Sequence, residues 1–177
     1  MMKNLLILAT LLALLNGCSL SPQECATMDW RWRGEADGAA GHLARPSHWQ
    51  AQCSEHGYRI DDQAYYLGWQ QGNGRYCEPG NGFLVGRRGE AYSGACQGEV
   101  AERFLAQYER GYRIYQEEQR LAYLRDRIHD IEHRIHEIGG ELRRDELDRE
   151  ARRELRHERR RLEDELAELR HALLFHD

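Results

Sequence analysis

Lysine is all but missing from this 177-residue chain: Lys3 is the only one. Prolines number three, and no second long apolar run follows residue 15. That missing run excludes a further membrane-spanning helix, which takes about 20 consecutive apolar residues. A net charge of -5, with acids interleaved among the arginines of REARRELRHERRR at 149–161, excludes nucleic acid as a partner. The phosphate-cradling Gly-Lys-Ser/Thr order is absent too; Gly86-Arg87-Arg88-Gly89 has neither that order nor its strand–loop–helix context. Arg87 and Arg88 read as solvated side chains of a disulfide-bounded hairpin, with contact to a lipid phosphate or a glycan carboxylate as the alternative. No nucleophile stands beside a base with an orienting third group, and no paired acids lie in a hydrolase context. The chain therefore reads as non-enzymatic, with no cofactor and no metal centre.

What is present begins at the N-terminus. After Lys3 and Asn4 the sequence runs LLILATLLALL, an apolar block of 11 residues that is too short to span a bilayer and suits the core of a secretory signal. Leu15-Asn16-Gly17-Cys18 resembles the lipobox of bacterial lipoproteins, with Asn16 as its one departure. The resemblance implies a signal peptide over 1–17, acylation of Cys18, and a lipidated tether over 18–24. Ser19, where an aspartate would favour inner-membrane retention, implies the outer membrane, periplasmic face. Three acyl chains anchor stably where a single one is marginal.

Four further cysteines, Cys25, Cys53, Cys77 and Cys96, are an even number in a chain with an export signal, and disulfides are expected. Three connectivities are open; the shorter loops favour Cys25 with Cys53 and Cys77 with Cys96. Each bridge contributes about 3 kcal/mol in the chain-entropy model. A zinc site built on Cys53-Ser-Glu-His56 is the rival, and an oxidising compartment disfavours it.

Composition divides the chain near residue 111, with the tryptophans, prolines and paired cysteines before it and Arg, Glu, Leu and Ile after it. In the first part, helices are expected from Asp29 as N-cap, from Pro46 with Gly57 past the end, and from Asp61. Gly34, Gly38 and Gly41 share one helical stripe, and Gly68 and Gly72 another. Since glycine costs about 1 kcal/mol against alanine inside a helix, these stripes need a reason, and close helix packing supplies one. A glycine-floored ligand groove is the alternative. Residues 76–98, dense in glycine, are read as an irregular loop or a short β-hairpin pairing Phe83–Gly86 with Glu90–Gly94.

The order Cys25, Asp29-Trp30, Gly34, Asp37-Gly38, Gly41; Cys53, His56-Gly57, Asp61; Tyr65, Gly68, Gly72; Tyr76-Cys77, Pro79, Asn81-Gly82-Phe83, Gly86, Gly89, Tyr92, Gly94, Cys96; Phe104-Leu105, Tyr108, Gly111 resembles a family of small proteobacterial lipoproteins known only as a domain of unknown function. The resemblance implies a lipid-anchored envelope protein. It carries over no catalytic residue.

In the second part, Leu121, Leu124, Ile128, Ile131, Ile135, Ile138 and Leu142 form an a/d heptad seam. Folding back at Asp145 sets Leu121 against Leu169, Leu124 against Leu166, Ile128 against Leu162 and Ile135 against Leu155. A turn at Gly139-Gly140 pairs worse. Asp145 and Asp148 have the spacing of an N-cap and an acidic third residue. Ile131 would then face Arg159, leaving a gap. Ile131, Arg159, Leu162 and Leu166 are accordingly the candidate contact surface for a protein partner or a second copy. His129, His133 and His136 fall on the outward side as a solvated face rather than a metal site.

The expected architecture is mainly α: a disulfide-stapled glycine- and aromatic-rich domain over 25–111, then an antiparallel coiled-coil hairpin over 112–177. The expected function is an outer-membrane lipoprotein with a structural or protein-interaction role through the hairpin. The alternative is an envelope module binding peptidoglycan or another glycan through the first domain.

Overall fold

The computed structural model of the chain describes residues 19–175. Among them there are seven helices and no strand. They are α1 (Pro22–Thr27), α2 (Trp30–Ala39), α3 (Pro46–Ser54), α4 (Asp62–Tyr76), α5 (Pro79–Arg87), α6 (Gly98–Glu141) and α7 (Arg149–Leu174). The described residues divide into two compact units, the first ending at Tyr112 and the second beginning at Arg113.

Local chemistry starts the helices of the first unit. Ser21 and Glu24 close a capping box at α1, and Asp29 and Asp61 accept backbone N–H bonds at the starts of α2 and α4. Pro46 and Pro79 open α3 and α5, where a missing N–H costs nothing.

Glycines decide how these helices pack. A Cβ built on Gly34 would lie 1.9 Å from Tyr65 O, and one on Gly38 2.3 Å from Trp69 O. Reciprocally, a Cβ on Gly68 would lie 1.8 Å from Arg31 O, and one on Gly72 2.1 Å from Glu35 O. Contacts that advance together along both chains mean that α2 and α4 run parallel, with backbone against backbone. Carbonyl oxygens then sit within reach of Cα–H groups, a weak attraction that only this close approach allows. Gly41 departs from the expected stripe. It lies beyond α2 with φ of 74°, in the left-handed turn that a side chain resists.

The same device recurs between α5 and the start of α6. A Cβ on Gly86 would lie 2.1 Å from Tyr108 O, and one on Gly111 2.2 Å from Phe83 O, again a parallel pair. The expected strand at Phe83–Gly86 is therefore helix. Pro79 at its start and glycines four apart at 82 and 86 are helical signals, and 90–97 is irregular chain with no strand pairing. Sequence spacing repeats with the packing. Cys25 stands nine residues before Gly34, as Cys77 does before Gly86; Cys53 stands twelve before Tyr65, as Cys96 does before Tyr108.

The disulfides are Cys25–Cys53 and Cys77–Cys96. Each lies in its own core cluster: Cys25, Trp30, Trp49, Cys53, Ile60 and Tyr65 in one, and Tyr76, Cys77, Val85, Cys96 and Phe104 in the other. Each bridge ties the entry of one helix of a parallel pair to the connection that precedes the other. This shortens the crossovers that parallel helices require.

In the second unit α6 continues through Gly139 and Gly140 to Glu141, so those glycines make no turn. Residues 142–148 connect it to α7, whose N-cap is Asp148, bonded to Ala151 N at 2.8 Å, and not Asp145. Arg152 secures the connection by donating to Leu142 O at 2.8 Å and Arg144 O at 3.1 Å. Arg134 meets Glu158 at 2.9 Å; Arg127, seven residues earlier, meets Glu165, seven residues later, at 2.7 Å. Leu124, Ile131, Ile138 and Leu166 are buried.

The close approach yields a paired test. Gly34→Ala should cost about 3 kcal/mol or more, because the clashing atoms are backbone and cannot turn aside. Gly74→Ala, where the added carbon meets nothing within 4 Å, should gain about 0.5–1 kcal/mol from helix propensity. Thermal unfolding of the two variants reads both signs.

Candidate functional site

The one buried charge among the described residues is Asp37, 3% exposed on α2. Its Oδ2 accepts from the Tyr65 hydroxyl at 2.8 Å and from Trp49 Nε1 at 2.9 Å. Arg45 donates through Nε to Oδ2 at 3.4 Å and through Nη2 to Oδ1 at 3.3 Å, and Arg33 Nη2 lies 3.1 Å from Oδ1. The Arg33 and Arg45 guanidiniums stand 4.0 and 5.1 Å from the Trp49 ring centroid, adding cation–π attraction. Burial pushes the Asp37 carboxyl up, but the donors of Arg45, Tyr65 and Trp49 and the Arg33 charge outweigh it and hold the carboxyl below its ordinary value. Burial raises the Tyr65 hydroxyl, which stays a proton donor. A carboxylate with this many donors around its two oxygens has no lone pair open to take a proton from a substrate. Its chemistry is to fasten α2, α3, α4 and the 40–45 turn together.

The glycine stripes are closed as well. The neighbouring helix backbone occupies the space over Gly34, Gly38, Gly68 and Gly72, so they floor no ligand groove. A concavity of the first unit, about 590 Å³, is lined by Gln50, Ser54, Gly57, Tyr58, Arg59, Ile60 and Asp62, and holds no cysteine or histidine to act as nucleophile or base. Among the described residues no three His, Cys, Asp or Glu side chains group as metal ligands. His129, His133 and His136 are exposed. Arg88 pairs with Glu90.

Cys18, the expected acylation site, lies outside the described residues. The chain just after it is bound to the first unit rather than hanging free. Leu20 N donates to Gln52 Oε1 at 2.9 Å, the His56 ring contacts Leu20 O at 3.1 Å, and the Leu20 side chain packs on the first core cluster. The stretch expected as a tether over 18–24 is thus clamped from Leu20 and helical from Pro22.

Of the expected contact residues on the second unit, Ile131 is 1% exposed and Leu166 8%, so both are buried. Arg159, half-buried, pairs with Glu163 at 3.2 Å, and Leu162 is half-buried. The Asp37 cluster is the arrangement that residue order conceals, since its donors come from positions 33, 45, 49 and 65. Of its members, the family pattern in the sequence contains Asp37 and Tyr65.

With this geometry in view, residues 29–113 match the family model described as Protein of unknown function (DUF2799). The match supports an uncharacterised family and spans the glycine pairs, the Asp37 cluster and the second disulfide. No curated protein and no solved structure matches the chain.

The Asp37 cluster predicts an acid limit. A carboxyl held low when folded stabilises above its unfolded value, and that contribution is lost as pH falls below the ordinary 3.8 through the folded value. Asp37→Asn should cost about 3 kcal/mol at neutral pH, by stranding partly buried guanidiniums. Denaturant titrations of both proteins should converge as the pH drops below that of an ordinary aspartate.

Proposed function

We propose that this protein is a lipid-anchored outer-membrane lipoprotein facing the periplasm. Its role is structural or protein-interacting, carried by the second unit as an antiparallel coiled-coil hairpin, and it catalyses no reaction. The observation that carries the reading is the pair of ion pairs Arg127–Glu165 and Arg134–Glu158. Their order opposes along α6 and α7, over a seam in which Leu124, Ile131, Ile138 and Leu166 are buried. Exposed ion pairs add little stability, but they set register and direction in a two-helix coil. Two helices cover only part of each other's apolar stripe. Leu155, Leu162, Leu169 and Leu173 remain half-buried along α7, and this margin is what a partner helix would cover.

Two features of the first unit support the compartment and the anchor. Both disulfides suit an oxidising environment. The Leu20 clamp leaves Ser19 as the only residue between it and Cys18, so an acylated Cys18 would hold the first unit within about 7 Å of chain from the bilayer surface.

Intact-mass spectrometry of the protein extracted from membranes tests the anchor: the reading expects a chain starting at Cys18 with diacylglycerol and acyl mass and no free thiol. A retained leader or an unmodified Cys18 would end it. For the hairpin, in-cell crosslinking should capture a partner or a second copy. Leu162→Glu should abolish that product while helical circular dichroism persists; an undiminished product would count against the contact surface.

A further inference from the structure

Between residues 149 and 160, α7 carries Arg149, Arg152, Arg153, Arg156 and Arg160, which line one open surface. At about 100° per residue these five fall within an arc of roughly 100°, centred about 120° around the helix from the stripe of Leu155, Leu162, Leu166 and Leu169. The stripe is about 16 Å long. The acids of the same stretch, Glu150, Glu154 and Glu158, fall outside that arc, so the interleaving of signs in the sequence becomes a separation of signs on the helix surface.

Five other arginines of the second unit meet a carboxylate: Arg120 meets Glu117, Arg127 meets Glu165, Arg134 meets Glu158, Arg159 meets Glu163 and Arg170 meets Glu132. Arg152 is spoken for by the carbonyls of Leu142 and Arg144. Arg149, Arg153, Arg156 and Arg160 have no ion-pair partner among the described residues, and all four are exposed. Like charges three and four apart destabilise a helix, so a row of four with no counter-charge is unfavourable in the isolated chain. An external anion relieves it.

We propose that this arginine stripe is a docking face for a membrane surface bearing phosphate headgroups. Guanidinium forks bind phosphate oxygens in pairs, which lysine does not do, and the stripe is built of arginine throughout. It is a shallow concavity of about 380 Å³ strung along one helix, with arginine the residue type on every side. A sheet of repeated phosphates fits such a face better than one compact anion. No aromatic or aliphatic side chain interrupts it, so the helix lies on the headgroups and does not insert. Only the choice of a lipid over other polyanions rests on the lipid-anchor reading; the stripe is centred about 120° around α7 from the leucines proposed to meet a partner helix.

Flotation of the full chain with phosphatidylcholine vesicles, with and without phosphatidylglycerol, tests this. Anchoring by acyl chains or leader contributes equally to both compositions, so the ratio of the two partition coefficients isolates the stripe. The ratio should exceed one at low salt and fall as salt rises. Each arginine replaced by glutamine among Arg149, Arg153, Arg156 and Arg160 should lower it about fivefold until it reaches one. Arg161→Gln, on the same helix but off the stripe, should leave it unchanged, and circular dichroism confirms that each variant keeps its helix content. A wild-type ratio of one, or a quadruple variant that keeps the wild-type ratio, would overturn the proposal. So would tighter retention on polyglutamate or duplex DNA than on anionic vesicles at equal salt. The intact mass at Cys18 judges the anchor separately, since neither result fixes the other.

Discussion

The first unit depends on one contact: a carbonyl oxygen of one helix set against the α-carbon of a glycine in its parallel neighbour. Where Gly34 faces Tyr65 and Gly68 faces Arg31, no side chain separates the two backbones. Water is excluded, the helices are fixed in parallel, and the aromatic residues fill the margins. A unit of this size buries too little apolar surface to hold itself with margin, so staples matter. Parallel pairing also demands a crossover between the partners. Each crossover carries a cysteine, Cys53 or Cys96, bridged back to the start of its pair at Cys25 or Cys77. Glycine pairing and disulfide placement are thus one design used twice, with the spacings from cysteine to glycine and from cysteine to tyrosine repeated in both halves. The Asp37 cluster belongs to the first half alone; Gly89 stands nine plus three residues after Cys77 where Asp37 stands twelve after Cys25.

What could be read in advance follows the range of the physics. N-caps at Asp29 and Asp61, proline at the start of α3, and the glycine stripes at 34/38 and 68/72 are local rules, and the helices obey them. The disulfide pairing followed from loop length. The strand at Phe83–Gly86 failed because a dense run of glycines was read for its turn potential, while the four-residue spacing of Gly82 and Gly86 behind Pro79 marked a helix of the kind already recognised upstream. Asp148 displaced Asp145 as cap because Arg152 fastens the carbonyls of Leu142 and Arg144, so the connection extends to residue 148 before α7 can start.

Sites were less legible than elements. Asp37 gathers donors from four separate positions, and no periodicity announces such a cluster. The arginine stripe is the opposite case: all its information is local, yet alternating signs along the sequence hide a face of one sign until the residues are placed on a helix. Chemistry in the first unit is directed inward, with the carboxylate saturated and the glycine faces filled. In the second unit it is directed outward, in half-covered leucines and unpaired guanidiniums. This division is why the proposed roles rest on binding and not on reaction.

Solution NMR reads the founding contact directly, through cross-relaxation between glycine α-protons and backbone amide protons of the facing helix. A Cβ on Gly34 would lie 2.9 Å from Trp69 N, and one on Gly86 2.8 Å from Tyr112 N. The α-protons that occupy those positions should therefore give strong cross-peaks to the Trp69 and Tyr112 amides, with matching peaks from Gly68 to Glu35 and from Gly111 to Arg87. Absence of these peaks in a folded, disulfide-bonded protein, or peaks in the order expected of antiparallel helices, would contradict the account.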